Sequence, residues 1–327
     1  MIDLFKKRYT ILRTIYSHQP VGRRALSGLM GMGEHAIRGE TNILRNAGLI
    51  DSRPAGMILT SEGEAVLDSL REYANTIMGF NDLEQKVAGI LNIRRVVIVP
   101  GDLDKDPAVL SSIGKAAAVL LSDHITNGCR IAVTGGSSVA AVVNAYVKNR
   151  QLSKVLVLPA RGGIGKEMEY QSNTIAASFA KKLGGEYRLL HLPDQLTAQA
   201  AETLLNDREI RSVIEEVKKA DILLCGLGQA KEMAEKRSLM RDQADTLEKV
   251  GAVAEAFGYY FNREGEVVFA TSSIGLNLSD LKAIPLMVAV AGGAHKAAAI
   301  IAVMTGWENG TLVTDESAAR EIVNIVS

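Results

Sequence analysis

The chain has 327 residues, 47% of them hydrophobic and 23% charged, with a formal net charge of zero. That composition excludes a disordered chain and a polycation, and the length leaves room for two domains. No uninterrupted apolar run of about 18 residues occurs and residues 1–16 carry a Lys-Lys-Arg cluster, so neither a membrane span nor a signal peptide is expected and the expected location is the cytoplasm.

Charge is distributed unevenly. Residues 1–55 hold nine Lys/Arg against four acids, a local net of +5 that the rest of the chain must balance. A basic end on an acidic body points to an anionic partner for that end alone. The two cysteines, Cys129 and Cys225, lie in apolar runs, too few for a disulfide framework and without the spacing of a metal site.

Residues 3–17 read as a helix with Leu4, Phe5, Ile11, Leu12 and Ile15 on its apolar side, ended by Pro20 and Gly22. A short helix over 25–30, the turn Gly31-Met32-Gly33 and a helix over 34–47 with Ile37, Ile43 and Leu44 inward come next. Residues 49–60 form two strand-like pieces around Arg53-Pro54-Ala55-Gly56, and Leu-Thr-Ser-Glu-Gly (59–63) closes the hairpin. A further helix starts after Ser61 and runs towards Met78.

Three helices and a hairpin make a winged helix-turn-helix domain, residues 1–75, for double-stranded operator DNA. The start of its third helix offers Glu34, His35 and Arg38 to base edges, while Arg23, Arg24, Arg45 and Arg53 suit phosphates. Gly39 interrupts that helix at about 1 kcal/mol against alanine, and the operator sequence and half-site spacing are not legible.

Residues 76–92 read as a linker helix, its clearest part over 84–91. From 93 to 327, strands alternate with helices: Arg-Arg-Val-Val-Ile-Val-Pro-Gly, a helix over 108–125, Arg-Ile-Ala-Val-Thr-Gly-Gly, a helix over 137–149, and Lys-Val-Leu-Val-Leu-Pro-Ala-Arg-Gly-Gly. A helix over 173–183, the strand Tyr-Arg-Leu-Leu-His-Leu-Pro, two helices and Ala-Asp-Ile-Leu-Leu-Cys-Gly-Leu-Gly-Gln come next. A short edge strand Glu-Val-Val-Phe-Ala, then Leu-Met-Val-Ala-Val-Ala-Gly-Gly with a helix over 296–305, and Thr-Leu-Val-Thr-Asp with a final helix complete the chain. Near-continuous apolar strands separated by helices predict a doubly wound parallel α/β sheet covered on both faces.

Four of those strands end in glycine-rich loops: Thr-Gly-Gly-Ser-Ser (134–138), Ala-Arg-Gly-Gly (160–163), Gly-Leu-Gly-Gln (226–229) and Ala-Gly-Gly-Ala-His-Lys (291–296). Ligands of such sheets gather beyond the carboxyl ends of the strands, where inward N–H groups and helix N-termini attract oxyanions. Thr134, Gly135, Gly136, Ser137 and Ser138 would hold one phosphate, with Arg161, Gly162 and Lys296 on neighbouring loops. Neither a dinucleotide fingerprint nor a Walker loop is present, which leaves a small phosphorylated molecule, better with two phosphates than one.

The stretches VTGGSS, LPARGGIG, NTIAASFA, AEAFGYYFN, IPLMVAVAGG, HKAAAI and TLVTDE resemble the SorC/DeoR family of sugar-responsive bacterial transcriptional repressors, in particular those that control glycolytic genes. The likeness covers nearly the whole chain. It implies an effector domain related in fold to ribose-5-phosphate isomerase and glucosamine-6-phosphate deaminase, a glycolytic operon as target, and a homo-oligomer, dimer or tetramer. It implies fructose-1,6-bisphosphate as effector, with no cofactor and no metal. By motif, Arg161 and Lys296 serve the second phosphate and the sugar with Arg237, and Glu255 accepts from sugar hydroxyls.

The alternative is a sugar-phosphate isomerase or deaminase with an appended DNA-binding module. It would need a general base, for which Glu255 is the candidate, with His124, His191 and His295 further off. Asp221 starts a strand at the end remote from the glycine loops. A third reading is an assembly protein with an inert pocket, against which Arg161 and Lys296 at strand ends argue. The reading adopted is a repressor, not an enzyme, with no catalytic residue.

Overall fold

A computed structural model describes residues 1–148, 150–162, 167–192, 196–237, 241–271 and 274–327. They form two compact units, Met1–Leu83 and Glu84–Ser327.

In the first unit, α1 (Ile2–His18) buries Tyr9, Ile11, Leu12 and Ile15 against α2 (Arg23–Met30) and α3 (Glu34–Asn46). Gly31, at φ 62°, ends α2 in the left-handed region that glycine adopts without penalty. Ile37, Thr41 and Leu44 repeat at helical spacing and form the inner face of α3. Two expectations fail here: Leu4 is exposed, about 100° round α1 from Phe5, which packs against the core, and Ile43 is exposed because it lies about 100° round the helix from Leu44. Glu40, on the inner face, binds Lys7 and Arg8 of α1 at 2.5 and 2.9 Å, and their hydrogen bonds hold its carboxyl below the usual carboxylate range.

Strands β1 (Ile50–Arg53) and β2 (Gly56–Leu59) pair antiparallel with Arg53 opposite Gly56, so the hairpin turns at Pro54-Ala55. Residues 59–63, expected to close it, instead end β2 and begin α4 (Ser61–Ser69), capped by Thr60, whose hydroxyl accepts the Gly63 N–H. The helix expected to run on to Met78 breaks at Leu70 into α4 and α5 (Arg71–Ile77). The chain passes into the second unit along α6 (Phe80–Leu91).

The second unit is built on a seven-stranded parallel sheet in the order β3-β13-β12-β7-β4-β5-β6. In chain order its strands are β3 (Arg95–Val99), β4 (Arg130–Val133), β5 (Leu156–Pro159), β6 (Glu186–Tyr187), β7 (Ile222–Gly226), β12 (Leu286–Val290) and β13 (Gly310–Asp315). The connecting helices are α7 (Val109–His124), α8 (Ser137–Ala145), α9 (Ser172–Leu183), α10 (Ala198–Leu205), α11 (Arg208–Val217), α15 (Ala297–Met304) and α16 (Glu316–Val326). Every residue of β12 is buried: Leu286, Val288 and Val290 join the core under α7, α8 and α9, and Met287 and Ala289 are buried on the opposite face. Both faces are therefore covered, the physical reason these strands read as continuous apolar runs.

A second sheet, antiparallel and not anticipated from sequence, has the order β11-β10-β9-β8. Its strands are β8 (Gly228–Gln229), β9 (Ala254–Ala256), β10 (Tyr259–Phe261) and β11 (Val267–Ala270), with α12 (Ala230–Lys236) and α13 (Arg241–Lys249) inserted between β8 and β9 and α14 (Leu278–Leu281) after it. Glu-Val-Val-Phe-Ala is an edge strand, of this sheet and not of the large one.

Two further expectations are corrected. The helix after β4 stops at Ala145, with Tyr146 extended; Asn149 lies outside the described residues. Only Tyr187 of the expected strand 187–193 is in the ladder, because the Asn173 side chain takes both the N–H and the C=O of Leu190 and draws the backbone away from β5. Pro193 lies outside the described residues.

Candidate effector site and DNA-binding surface

The chain leaves β4 towards β5 on one side and leaves β7 towards β12 on the other. The loops after β4 and β7 diverge, and such a switch point opens a crevice beyond the strand ends. A cavity of about 400 Å³ lies there, lined by Thr134, Gly135, Gly136, Ser137, Ser138, Gly226, Leu227 and Gly228 from those two loops. The Thr134 hydroxyl accepts the Gly226 N–H at 3.2 Å and ties the loops together.

Gly136, at φ 117°, turns the chain into α8. The first helical bond runs from the Ala140 N–H to the Gly136 carbonyl at 3.0 Å, so Ser137, Ser138 and Val139 have no intrahelical acceptor at the end facing the cavity. The aligned peptide dipoles add positive potential there.

Three charged side chains form the floor. Arg161 is 2% exposed, Arg237 7% and Glu255 4%, so water screens none of them. One Glu255 oxygen accepts from Arg237 at 2.7 Å and from the Gly258 N–H, and lies 3.7 Å from Arg161. Two guanidinium groups around one carboxylate leave the floor favourable to an added anion. Arg161 follows β5, Arg237 follows α12 and Glu255 sits in β9, so the sheets jointly build this group.

Lys296 reaches the cavity from the loop after β12. That loop is fixed by Asp315, which is fully buried and accepts the N–H groups of Gly293, Leu103 and Ala318 and the Ser317 hydroxyl. Burial, with a smaller contribution from Lys236, pushes the Lys296 ammonium below the ordinary lysine value, partly offset by Glu232 and Asp104. Glu167, Glu235 and Lys236 lie exposed at the mouth.

Of the residues expected at the effector site, Gly162 alone does not line the cavity: its N–H is spent on the Ile274 carbonyl at 3.2 Å. Gly163 lies outside the described residues. Tyr170, Glu232, Met233 and Phe257 line the cavity unforeseen. Glu232 and Met233 share α12 with the segment that leads to Arg237, a signal the sequence did offer.

Phe257 had no such signal. It is the first residue of the two-residue turn joining β9 to β10, with Ala256 opposite Tyr259, and its φ is 55°. A bulky residue in the left-handed region costs about 1–2 kcal/mol, and such outliers gather at functional sites.

Of the residues weighed as bases, His191 does not line the cavity and three others have structural partners. His124 hydrogen-bonds the Leu120 carbonyl within α7, and His295 pairs with Asp104. Asp221 accepts the Arg130 N–H at the amino end of the sheet. Among the described residues no group of three or more His, Cys, Asp or Glu is placed to hold a metal. Burial pushes the Cys129 thiol up to about 11 and the Cys225 thiol to about 12, so neither is a nucleophile near neutrality. No helix is long and apolar enough to cross a membrane, among the residues described.

In the first unit Arg23, Arg24, Glu34, His35, Arg38, Arg45 and Arg53 are all exposed. Arg23, Arg45 and Arg53 line one depression of about 260 Å³ between the start of α2, the second half of α3 and the hairpin. Arg24 does not join them and pairs with Glu34 at 3.1 Å. No protein atom lies within 4 Å of where a Gly39 Cβ would stand, so internal packing does not require that glycine.

A family model described as "CggR N-terminal DNA binding domain" matches residues 4–74, and one described as "Putative sugar-binding domain" matches residues 75–324. The two matches define the class, a transcriptional regulator with a DNA-binding domain followed by a sugar-binding domain. The chain is 38% identical over 323 residues to the Central glycolytic genes regulator of Bacillus subtilis (strain 168), covering 99% of this chain and 95% of that protein. It is 39% identical over 324 residues to the protein of the same name from Priestia megaterium, with the same shares covered. The chain belongs to the central glycolytic genes regulator family.

Among solved structures, a "putative SorC family transcriptional regulator" from Enterococcus faecalis has a TM-score of 0.69 at 38% identity, covering 74% of this chain and 99% of that one. The full-length sorbitol operon regulator SorC of Klebsiella pneumoniae shares the fold, at a TM-score of 0.69 and 18% identity over 97% of each chain. The named relatives are regulators, and the protein is a regulator rather than an enzyme.

Proposed function

We propose that the protein is a repressor of a glycolytic operon, acting in the cytoplasm as a homo-oligomer and released from its operator by fructose-1,6-bisphosphate. The observation that carries this reading is the convergence on one cavity of the α8 N-terminus, the buried Arg161–Glu255–Arg237 group and Lys296. One phosphate sits on the amides of Ser137 and Ser138 and their hydroxyls beside Gly135, the Gly136 N–H being already given to the Tyr170 carbonyl at 2.8 Å. The other meets Arg161, Arg237 and Lys296, and Glu255 accepts from sugar hydroxyls. On the DNA side, Arg38 and His35 address base edges, while Arg23, Arg45 and Arg53 grip phosphates from their shared depression. The sugar acts only through unequal affinity for the DNA-bound and released states.

The test is a gel-shift titration with operator DNA. The bisphosphate releases the wild-type chain at micromolar to millimolar concentration. Arg161→Ala leaves DNA binding intact and raises the concentration needed about 10–100-fold, the worth of one or two charge-assisted hydrogen bonds. Unchanged binding to operator at saturating sugar bisphosphate defeats the reading.

A pH dependence accompanies it. A bound phosphate favours the ammonium form of Lys296, so its pKa is higher in the complex than in the free protein. Affinity is full below the free-state value, which lies under the ordinary 10.5, and falls as pH rises from that value towards the bound-state one. Calorimetry repeated as pH is raised towards 10.5, in two buffers of different ionisation heat, reads a proton uptake by the wild type that Lys296→Met lacks.

A further inference from the structure

Phe257 is both part of the cavity wall and part of a chain of contacts that leaves it. Its ring centroid is 6.0 Å from that of Trp307, the single tryptophan of the protein. Trp307 belongs to the turn between α15 and β13, and the Gly306 N–H of that turn donates to the Leu91 carbonyl at 2.9 Å. Leu91 is the last residue of α6, the helix along which the chain passes from the DNA-binding unit. On its other side the turn is held by the charges of the site. The Gly258 N–H donates to Glu255, and a Cβ at Gly258 would stand 2.6 Å from both terminal nitrogens of Arg161.

We infer that the Phe257–Gly258 turn senses the occupied cavity and relays it through Trp307 and Gly306 to the base of α6. The inference rests on the effector reading above. A phosphate that engages Arg161 and Arg237 redistributes their hold on Glu255, and Glu255 is what pins the Gly258 N–H. The left-handed Phe257 backbone is strained, so a loosened pin shifts the turn at this residue first, against the Ala256–Tyr259 pairing and the Thr271 N–H and hydroxyl that hold the Gly258 carbonyl. Relaxation withdraws the ring from Trp307 and alters the turn that holds the Leu91 carbonyl. Coupling then needs no change in the sheet itself, only different stability of the two turn conformations with and without ligand.

The test uses the full-length chain, fructose-1,6-bisphosphate as probe and Phe257→Asn, because asparagine accepts the left-handed region and has no ring to meet Trp307. Wild-type Trp307 emission changes on saturation with the sugar. Phe257→Asn gives up a ring that is 5% exposed and lines the cavity, so it melts lower than wild type, and its release of operator is scored against its own calorimetric sugar affinity. Its Trp307 emission no longer responds, and the sugar concentration for half-release of DNA rises at least tenfold. Trp307→Leu, which changes no residue of the cavity wall, is the second variant: it binds the sugar as wild type does and releases operator at least tenfold less readily. Release at the wild-type dose in either variant overturns the relay. So does a parallel loss of affinity and release, which makes Phe257 merely a wall, and so does silent Trp307 emission in wild type that binds sugar. Absence of binding heat with wild type defeats the effector reading, and the relay falls with it.

Discussion

Glu255→Gln is expected to lower the stability of the sugar-free effector unit by about 3–5 kcal/mol, the range found when one partner of a buried ion pair is removed. Glutamine keeps an oxygen for the Gly258 N–H and loses the charge. Arg161 and Arg237, 2% and 7% exposed, then lose the negative charge of a carboxylate oxygen that stood 3.7 and 2.7 Å from them. A sugar bisphosphate restores negative charge to that floor. The rise in melting temperature on adding the sugar is therefore larger in the variant than in wild type, even though a hydroxyl acceptor has been weakened. Differential scanning calorimetry with and without the sugar measures both shifts. An unaltered melting temperature of the sugar-free variant contradicts the charge account.

Asp315→Asn has a comparable effect on stability for a different reason. Asp315 lies at the end of β13, is fully buried, and its two oxygens take four donors from three parts of the chain: Leu103, Gly293, and Ser317 with Ala318 at the start of α16. An amide offers one oxygen and turns an NH₂ group towards two of those donors. Each buried donor left without an acceptor costs about 1–3 kcal/mol, so a loss of about 3 kcal/mol is expected in chemical denaturation. The Gly293 loop carries Lys296, and sugar affinity falls with stability in this variant. Lys296→Met, which leaves the clamp intact and removes a charge that burial already disfavours, lowers affinity without the loss of stability expected of Asp315→Asn.

The large sheet was legible because each strand is a short continuous apolar run punctuated by glycine, and burial on both faces produces that pattern. The α3 surface was legible for a similar reason: helical spacing puts Ile37 and Leu44 inward and leaves Arg38 and His35 outward. The small antiparallel sheet was not legible. Its strands are two to four residues long, too short for period-two alternation to stand out, and β8 is continuous in sequence with the glycine loop of β7. The expected strand over 187–193 failed because the Asn173 side chain competes for its backbone groups from outside the segment.

A basic helical end, an α/β body and four glycine loops able to receive an anion follow from the order of residues alone, because each of these is written in contiguous residues and in the local preferences of the backbone. Long-range packing sets β4 and β7 side by side with their loops diverging, and brings Arg161 and Arg237 to Glu255 across separations of 94 and 18 residues. It also makes Phe257 the bridge between the cavity and Trp307. Such meetings depend on strand order and on the packing of the second sheet against α12 and α15. They are fixed by the burial of surfaces distant in sequence, which no local pattern records.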